Sequence, residues 1–481
     1  MDLLVIDIGT SSIRAAIVHD DATVHHEQHR DFLPDSPQPG MVEFDAAAMA
    51  TVVLEAAGAA LAAHGSAVAA VGITNQRGST VVWDRATGEP IGPAQGWQDL
   101  RTIFAGLTHR GSGFRFAPNA SATKLEDLLN TNDPDRSRDL CFGTVDSWIA
   151  WTLSEGALHV IDASNAAVTA LLRADGAGWY QPALEALRIP ERMLPTIVDT
   201  SGIIGTATAL PGAPPIAALI GDQQASLVGQ ACITAGPAKI TFGTGGMLDL
   251  VVGPDRPGFE TRGDGGTFPI ITMRRDGVDT WGLEAIMLSA GTNVEWLRDD
   301  LGILTSSEQS HEVAQQCADT GGVMYVPALM GLGTPQWDYG ARGTLLGLTR
   351  GSGRPQIVRA VLEGVAQSGA DLVESAEMDA HTTIEFLRVD GGMSRNPTFV
   401  QALADAAQKP VEISPVGEAT TLGAGFMAGL AVGAWPNLDA LAQTWSPIAR
   451  YEPGPPTDRE RWREAVRRAS RWLEDLSAVD F

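Results

Sequence analysis

Residues 3–18, which read LLVIDIGTSSIRAAIV, decide the fold class. Residues 3–8 form an apolar run typical of a buried strand, residues 9–12 are turn formers, and residues 13–18 resume as a second strand, so the segment predicts a β-hairpin. The pattern returns at residues 240–252, ITFGTGGMLDLVV, in register over about a dozen residues when Gly9-Thr10 is aligned with Gly243-Thr244. A repeated hairpin at the start of each half predicts a duplicated domain.

Between and after the hairpins, helical and extended patterns alternate, which predicts an α/β fold rather than an all-α or all-β one. The predicted helices and strands are residues 47–63, 355–378, 398–407 and 421–432, and residues 69–73, 81–83, 217–220 and 386–390. A last helix is predicted over residues 458–476, with Trp462, Val466, Ala469, Leu473 and Leu476 on one packing face.

Length and composition are those of a globular protein. A chain of 481 residues predicts two or three domains, and 44% hydrophobic residues is ordinary for a folded soluble protein. We expect neither a membrane span, because no run approaches twenty apolar residues, nor a signal peptide, because the N-terminus lacks a basic region. Cys141, Cys232 and Cys317 have no metal or disulfide spacing, which suits a reducing cytoplasm.

The charge balance limits the possible partners. With 33 basic and 58 acidic residues the net charge is −25, and a surface so acidic would repel the phosphates of nucleic acid. None of the three lysines, Lys124, Lys239 and Lys409, stands in a Gly-Lys-Ser/Thr motif, which excludes a P-loop. A phosphate ligand would therefore be held by backbone amides, a metal and a few arginines.

The two hairpin turns are candidate phosphate sites. Gly9–Ser12 exposes amides and hydroxyls together, and such a concave nest favours an oxyanion. Asp7 at the strand end could hold magnesium through water, and Arg14 could reach the same phosphates. Gly243–Gly246 offers a matching nest from the other half. Two ordinary tight hairpins remain the alternative.

Two further positions allow a structural or a functional interpretation. Asp222 follows a predicted buried strand and precedes a helix, where an aspartate usually caps the helix but can also act as a general base. Gly391-Gly392 follows another strand, with Asn396 soon after. Paired glycines there are typical of a backbone that approaches a flat ligand closely, although they also occur in ordinary turns.

Several segments carry a family resemblance, in family order over nearly the whole chain. They are residues 7–14 (DIGTSSIR), 73–77 (ITNQR), 142–148 (FGTVDSW), 221–224 (GDQQ), 242–245 (FGTG), 335–338 (PQWD), 341–343 (ARG), 347–351 (GLTRG) and 389–392 (VDGG). As a set they resemble the FGGY carbohydrate kinases, and within that family the glycerol kinases.

The resemblance implies an actin-like ATPase fold of two RNase H-like α/β domains, residues 1–229 and 230–481, with ATP and Mg²⁺ in the cleft between them. The first domain would carry the substrate site and the phosphate hairpin, and the second would bind the nucleotide. Asp222 would be the catalytic base, and Arg77 and Gln223 would hold the substrate. The nucleotide-binding residues would be Thr10, Ser11, Ser12, Arg14, Thr244 and Gly245 on the phosphate side and Gly291, Glu295, Gly392 and Asn396 on the adenosine side.

The residues around the substrate depart from the pattern of glycerol kinases. Gly78 stands where they have a glutamate that binds a substrate hydroxyl, and Asn119 and Met247 stand where they have aromatic residues. Glu295 replaces a glutamine on the nucleotide side. From these substitutions we expect a wider and less aromatic pocket.

The sequence thus predicts a cytoplasmic, ATP-dependent kinase of a small polyol or sugar, glycerol or a four- to five-carbon relative, as a homodimer or homotetramer. Two alternatives stay open. A ketopentose kinase is disfavoured because Asn75-Gln76-Arg77-Gly78 replaces the usual Gly-Gln-Met-His motif. A non-catalytic nucleotide-binding protein of the same superfold is disfavoured because Asp7, Arg77, Asp222 and Thr244 are all retained.

Overall fold

The computed structural model describes residues 1–415 and 417–479, and it is organised around two large sheets. The first sheet has six strands in the order β5-β6-β4-β1-β2-β3. These strands are β1 (Asp2–Ile8), β2 (Ser12–His19), β3 (Val24–Asp31), β4 (Ala70–Asn75), β5 (Ser201–Thr206) and β6 (Pro215–Gly221).

The second sheet has seven strands in the order β9-β10-β8-β7-β11-β12-β13. They are β7 (Pro237–Phe242), β8 (Gly246–Gly253), β9 (Phe268–Arg275), β10 (Val278–Met287), β11 (Phe386–Asp390), β12 (Val411–Ile413) and β13 (Ala449–Tyr451).

The two sheets repeat one pairing scheme. In the first, β1 pairs antiparallel with β2 and parallel with β4, and β4 pairs parallel with β6. In the second, β7 pairs antiparallel with β8 and parallel with β11, and β11 pairs parallel with β12. The two predicted hairpins are therefore the equivalent β1–β2 and β7–β8 units, which confirms the duplicated α/β architecture.

Helices cover both faces of the sheets. The longer ones are α1 (Ala46–His64), α2 (Ala122–Asn132), α3 (Val145–Leu153), α4 (Asp222–Gly229), α5 (Arg354–Ala380), α6 (Pro397–Ala407), α7 (Ala419–Val432) and α8 (Arg459–Ala469). In β1, Leu4 and Ile6 face a core shared with α1 and α3, whereas Leu3 and Val5 face a core shared with α4 and α7. Helix α7 thus comes from the second half of the chain but packs on the first sheet.

Short elements complete the described structure. The short α-helices are Ile103–Arg110, Ala163–Ala167, Gln181–Ala186, Thr292–Glu295, Gln309–Ala314, Leu438–Ala442 and Glu474–Ser477, with 3₁₀-helices at Glu191–Met193 and Gly392–Arg395 and a π-helix at Trp296–Asp300. Four small sheets pair Glu43–Phe44 with Ala94–Gln95, Val81–Asp84 with Leu140–Gly143, Val160–Asp162 with Thr196–Val198, and Met324–Val326 with Thr344–Leu346.

The prediction of one continuous C-terminal helix over residues 458–476 is wrong for its second half. Helix α8 ends at Ala469, because Ser470 is extended and Arg471 adopts a left-handed conformation with φ +57°. Trp462, Val466 and Ala469 are buried as predicted, but Leu473 and Leu476 are 41% and 42% exposed. The packing face is therefore only three turns long.

Helix α1 bears on the expectation that the chain has no membrane span. It is long and apolar enough to cross a bilayer by length and composition alone. Asp45 caps it by accepting hydrogen bonds from the backbone N–H groups of Ala47 and Ala48, and residues such as Val53 and Ala57 are fully buried in the first core. This is the packing of a core helix.

Candidate active site

Three charged residues meet where parallel strands of the first sheet end. Asp7 lies near the end of β1, Arg77 follows β4, and Asp222 follows β6. The register places Asn75, the last residue of β4, opposite Gly221, the last residue of β6. Because the carboxyl ends of neighbouring parallel strands share one edge of the sheet, side chains 70 to 215 residues apart in sequence come together there.

Arg77 is the centre of this group. Its Nε lies 3.4 Å from Asp222 Oδ1, and its Nη2 donates to Glu284 Oε2 at 2.6 Å. Within residues 1–415 and 417–479, its buried Nη1 has no hydrogen-bond partner. A buried, unpaired guanidinium N–H is costly, so this atom is available to an oxygen of a ligand.

Asp222 is the first residue of α4, and Gly221 occupies the cap position, so the N-cap interpretation is wrong. The Asp222 carboxylate accepts a hydrogen bond from the backbone N–H of Gln223 at 2.7 Å. Burial raises its pKa above the usual aspartate range, and the Arg77 guanidinium opposes that rise. A carboxylate with a raised pKa at the edge of a cleft is suited to accept a proton.

Three charged residues of the second sheet face this group. Lys239 on β7 lies opposite Asp249 on β8, and Asp249 lies opposite Glu284 on β10, so the three form one row on the same face. Lys239 Nζ lies 2.7 Å from Asp249 Oδ2 and donates to Gln223 Oε1 at 2.8 Å and Thr241 Oγ1 at 3.1 Å. The Lys239–Asp249–Glu284 row thus contacts Gln223 and Arg77, which both belong to the first half of the chain.

A cleft of about 220 Å³ opens beside these residues. It is lined by Asp7, Gly9, Ser12, Arg14, Asp222, Gln223, Glu418 and Thr420. The structure therefore brings together the predicted base, one predicted substrate ligand and much of the predicted phosphate hairpin. Glu418 and Thr420, at the start of α7, were not predicted from the sequence.

Arg14 is engaged by acidic side chains. It forms an ion pair with Glu418, its Nε lies 3.2 Å from Glu27 Oε1, and its Nη1 lies 3.8 Å from Asp7 Oδ2. To bind a phosphate, the guanidinium must exchange at least one carboxylate for a phosphate oxygen.

The remaining residues of the first hairpin lie at the rim of the site. Thr10 Oγ1 accepts a hydrogen bond from Trp97 Nε1 at 3.1 Å. Ser11 is exposed, and its carbonyl oxygen accepts from the backbone N–H of Phe32 at 2.9 Å. Trp97 was not predicted from the sequence, and it places an aromatic ring beside the hairpin.

Gly78 does not leave the open space that the sequence suggested. Its φ is +74°, and a Cβ at this position would overlap the backbone carbonyl oxygen of Asn119. The same Cβ would lie 3.7 Å from Cβ of Trp97. The substitution therefore removes a carboxylate acceptor, while the backbone at Asn119 fills the space.

Asn119 and Met247 belong to different halves of the chain. The Asn119 side chain is exposed. Met247 is half-buried on β8, opposite Thr241 and Ile286, and it shares the face of the Lys239–Asp249–Glu284 row because residues two apart on a strand point the same way. Their contact with a substrate remains a prediction.

The predicted adenosine residues surround the second hairpin. The backbone N–H of Gly291 donates to Gly243 O at 2.8 Å, and the N–H of Ala290 donates to Thr244 O at 2.8 Å. A Cβ at Gly291 would lie 2.6 Å from Gly243 O, and one at Gly245 would lie 2.7 Å from Met287 O. These glycines permit backbone approaches that a side chain would block.

The other predicted residues of this side are placed by strand β11 and the segments next to it. Gly391 has φ +83°, and a Cβ there would overlap the Phe242 carbonyl, so the β11 end packs directly on the β7 end. Gly392 and Glu295 are exposed. Asn396 caps α6 by accepting from the Phe399 N–H, and its Nδ2 donates to Ser310 Oγ at 2.9 Å.

The acidic residues of the cleft fit a magnesium ion. Asp7 and Asp222 are both half-buried carboxylates lining it, and desolvation together with the Asp222 charge raises the pKa of Asp7 to about 7, against the lowering effect of Arg14. In the described part of the chain, no three His, Cys, Asp or Glu side chains are grouped to hold a metal alone. Magnesium usually binds through one or two carboxylates together with waters and substrate phosphates, so the arrangement suits it.

Sequence reasoning missed several residues of the site. Lys239 and Asp249 are the single charges of β7 and β8, and Glu284 lies in the buried part of β10. Charged side chains are seldom fully buried unless paired, so a lone charge in a buried strand was the signal that could have found them.

Nearly the whole chain is similar to known proteins. A profile of the FGGY family of carbohydrate kinases, N-terminal domain, matches residues 3–229, and one for the C-terminal domain matches residues 238–432. The glycerol kinase of Aromatoleum aromaticum is 41% identical over 495 residues, covering 98% of this chain and 99% of that protein. Glycerol kinase 2 of Thermotoga maritima is 39% identical over 494 residues, covering 98% and 99%.

Solved structures agree with the sequence relatives. The crystal structure of Plasmodium falciparum glycerol kinase with ADP superposes with a TM-score of 0.90 at 26% identity, covering 100% of this chain and 99% of that one. A ligand-bound xylulose kinase from Lactobacillus acidophilus shares the fold, with a TM-score of 0.85 at 19% identity over 98% and 97% of the two chains. The two-domain, actin-like α/β architecture predicted from the sequence is confirmed.

Proposed function

The chain belongs to the FGGY family of carbohydrate kinases, and on that premise we propose that Asp222 deprotonates the hydroxyl that receives the γ-phosphoryl group of ATP. The protein is an ATP-dependent phosphotransferase that acts on an alcohol group of a small polyol or sugar. The observation that carries the proposal is the position of Asp222, a half-buried carboxylate beside Arg77 and on the wall of the cleft.

Asp222 accepts the proton and Arg77 steadies the charge. The raised pKa of Asp222 makes it a stronger base than an exposed aspartate, and the nearby Arg77 guanidinium stabilises its ionised form. The proton of the attacking hydroxyl moves to a carboxylate oxygen as the oxygen–phosphorus bond forms and ADP leaves.

Arg77 and Gln223 hold the substrate. Arg77 Nη1 is the buried donor that no described residue uses, and Gln223 lines the cleft beside Asp222. Donors fixed on both sides of the base orient the polyol so that one hydroxyl faces the phosphate, which supplies much of the catalytic effect of a kinase.

The hairpins and Arg14 hold the triphosphate. Gly9–Ser12 and Gly243–Gly246 would present backbone amides and hydroxyls to phosphate oxygens, and Arg14 would exchange Glu418 for a phosphate. Asp7, with waters, would hold Mg²⁺, and a bound magnesium ion neutralises charge on the transferring group. Gly291, Glu295, Gly392 and Asn396 would line the adenosine.

The two-hairpin arrangement predicts domain closure. Phosphate contacts from both halves require the cleft to shut, which also excludes water from the reaction. Small-angle scattering should give a smaller radius of gyration with a non-hydrolysable ATP analogue plus glycerol than with either alone. The Asp222→Asn variant with ATP and glycerol should close equally, because it keeps the shape of the site. An unchanged radius in both samples would contradict closure.

The substrate proposal is a polyol longer than glycerol. Gly78 removes a charged acceptor, and a hydrogen bond to a charged group is worth roughly 1.5–3 kcal/mol. Asn119, exposed at the rim, can both donate to and accept from an additional hydroxyl. Because the backbone carbonyl of Asn119 closes the space at Gly78, we expect the additional hydroxyl near the side chains of Asn119 and Met247 rather than at Gly78.

This predicts the order of substrates. We expect kcat/KM to be higher for one of erythritol, threitol, erythrulose or the pentitols than for glycerol. Steady-state assays at saturating ATP measure this directly. If glycerol exceeds all of them by tenfold or more, the proposal for the pocket is wrong, although the kinase activity would stand.

We also propose a domain boundary, a cellular location and an oligomeric state. A domain boundary between residues 229 and 230 is supported by the profile matches at 3–229 and 238–432, although α7 crosses back to the first sheet. A cytoplasmic location is supported by three unpaired cysteines. A homodimer or homotetramer, with neither nucleic acid nor membrane as partner, also remains proposed. The non-catalytic alternative has less support, since the proposed base lies on the wall of the cleft with an arginine 3.4 Å away.

A further inference from the structure

The structure assigns Lys239 as a positioning residue that fixes the amide of Gln223, so that this side chain offers only N–H donors to the substrate. This rests on the proposed role of Gln223 as a substrate ligand. Lys239 lies on β7 of the second sheet, and Gln223 lies at the start of α4, so the contact joins the two halves of the chain.

Lys239 is locked in place. Its ammonium has three N–H donors, and three oxygens lie around it: Gln223 Oε1 at 2.8 Å, Thr241 Oγ1 at 3.1 Å and Asp249 Oδ2 at 2.7 Å. The side chains of Lys239 and Asp249 are both 0% exposed. A buried lysine is tolerated only with such partners, and Asp249 supplies the compensating charge.

The identity of the partner determines the amide orientation. An ammonium can only donate, so Gln223 must present its oxygen, Oε1, to Lys239. Its Nε2 then points away from Lys239. Because Gln223 also lines the cleft beside Asp222, the group that remains for a ligand is the amide N–H₂.

These contacts fix which hydrogen-bond donors and acceptors surround the base Asp222. Arg77 Nη1 and Gln223 Nε2 are donors, and Asp222 is the acceptor. Glu284 fixes the orientation of the Arg77 guanidinium by accepting a hydrogen bond from Nη2 at 2.6 Å. Lys239 fixes the orientation of the Gln223 amide in the same way, by donating to its oxygen. Lys239 and Glu284 belong to one cross-strand row with Asp249. The second sheet therefore determines the orientation of the two donors that the first domain offers to the polyol.

Removing the buried pair together tests the assignment. Lys239→Met combined with Asp249→Leu replaces both charges by apolar residues of similar size, which is often tolerated, whereas removing one partner strands the other. With Gln223 free to rotate, we expect the KM for glycerol and for erythritol to rise about tenfold, as when one hydrogen bond is lost. The KM for ATP should not change. Lys409→Met with Glu377→Leu removes a half-buried lysine–carboxylate pair that joins the segment after α6 to α5; this control should leave both constants unchanged.

A comparison in a second background separates positioning from a general structural effect. If Lys239 acts through Gln223, adding Lys239→Met/Asp249→Leu to Gln223→Ala should raise the polyol KM no further. An equal additional rise in that background, or a wild-type KM in the paired variant, overturns the inference. If Gln223→Ala raises the KM and the paired variant does not, only this inference fails. If Gln223→Ala itself has no effect, the proposed substrate site fails with it.

One variant keeps the contact with Lys239 and removes only the amide donor. Gln223→Glu keeps an oxygen for Lys239 and adds an ion pair to it, but it leaves no N–H for the polyol. We expect its polyol KM to rise as in Gln223→Ala. A wild-type KM in this variant would contradict the donor role that Lys239 imposes.

Discussion

Replacing Asp222 with asparagine should lower kcat by about 10²–10⁴-fold, the contribution of a general base, with the fold unchanged. Asparagine keeps the shape of the side chain and an oxygen for the Gln223 N–H, 2.7 Å away in the wild type. It cannot accept the proton of the attacking hydroxyl. Initial rates of ADP release at saturating ATP and polyol measure the effect.

The control for this variant is a buried aspartate outside the cleft. Asp371 accepts from Arg459 Nη2 at 2.5 Å and from Trp462 Nε1 at 2.8 Å, and burial raises its pKa as it does for Asp222. Asp371→Asn should lower stability but not the kcat of the folded enzyme. Turnover near the wild-type rate in Asp222→Asn would remove Asp222 from the role of base.

Replacing Arg77 with methionine should destabilise the protein by about 3–5 kcal/mol, the usual cost of leaving a buried charge unpaired. The carboxylate left behind is Glu284, whose side chain is 8% exposed and 2.6 Å from Arg77 in the wild type. The same variant loses the donor Nη1, so kcat/KM for the polyol should fall at least tenfold. Urea unfolding and steady-state kinetics give the two quantities.

Adding Glu284→Gln separates the two roles of Arg77. With the stranded charge removed, the double variant should recover much of the lost stability, because a neutral amide costs less to bury than an unpaired carboxylate. Its kcat/KM should stay low, since the substrate donor is still missing. If stability is not recovered, the Arg77–Glu284 pair is not what the single variant breaks; if kcat/KM is recovered, Arg77 does not bind the substrate.

Local patterns explain what the sequence could predict. The hairpins at Gly9–Ser12 and Gly243–Gly246 are encoded by adjacent residues, a strand followed by turn formers and a strand, so both were found and their repetition indicated the duplicated fold. Asp222 and Arg77 were assigned through the family resemblance, and the parallel pairing of β4 and β6 explains why they meet.

What the sequence could not predict depends on long-range register or on backbone conformation. Lys239, Asp249 and Glu284 form a row only because three strands align in one register. From the sequence, Gly78 indicated open space where a side chain is missing. In the structure Gly78 has a positive φ, and the backbone carbonyl of Asn119 occupies that space. Arg14 meets Glu418 because α7 returns to the first sheet from 404 residues away.

The most direct test of the account is to follow the phosphorus of the substrate and product. Incubation of the enzyme with ATP, Mg²⁺ and the polyols named above, monitored by ³¹P NMR, should show a phosphate monoester that grows one for one with ADP and only when a polyol is present. ADP formation that is equally fast without any polyol, with inorganic phosphate in place of a monoester, would contradict phosphoryl transfer to a hydroxyl held at Asp222.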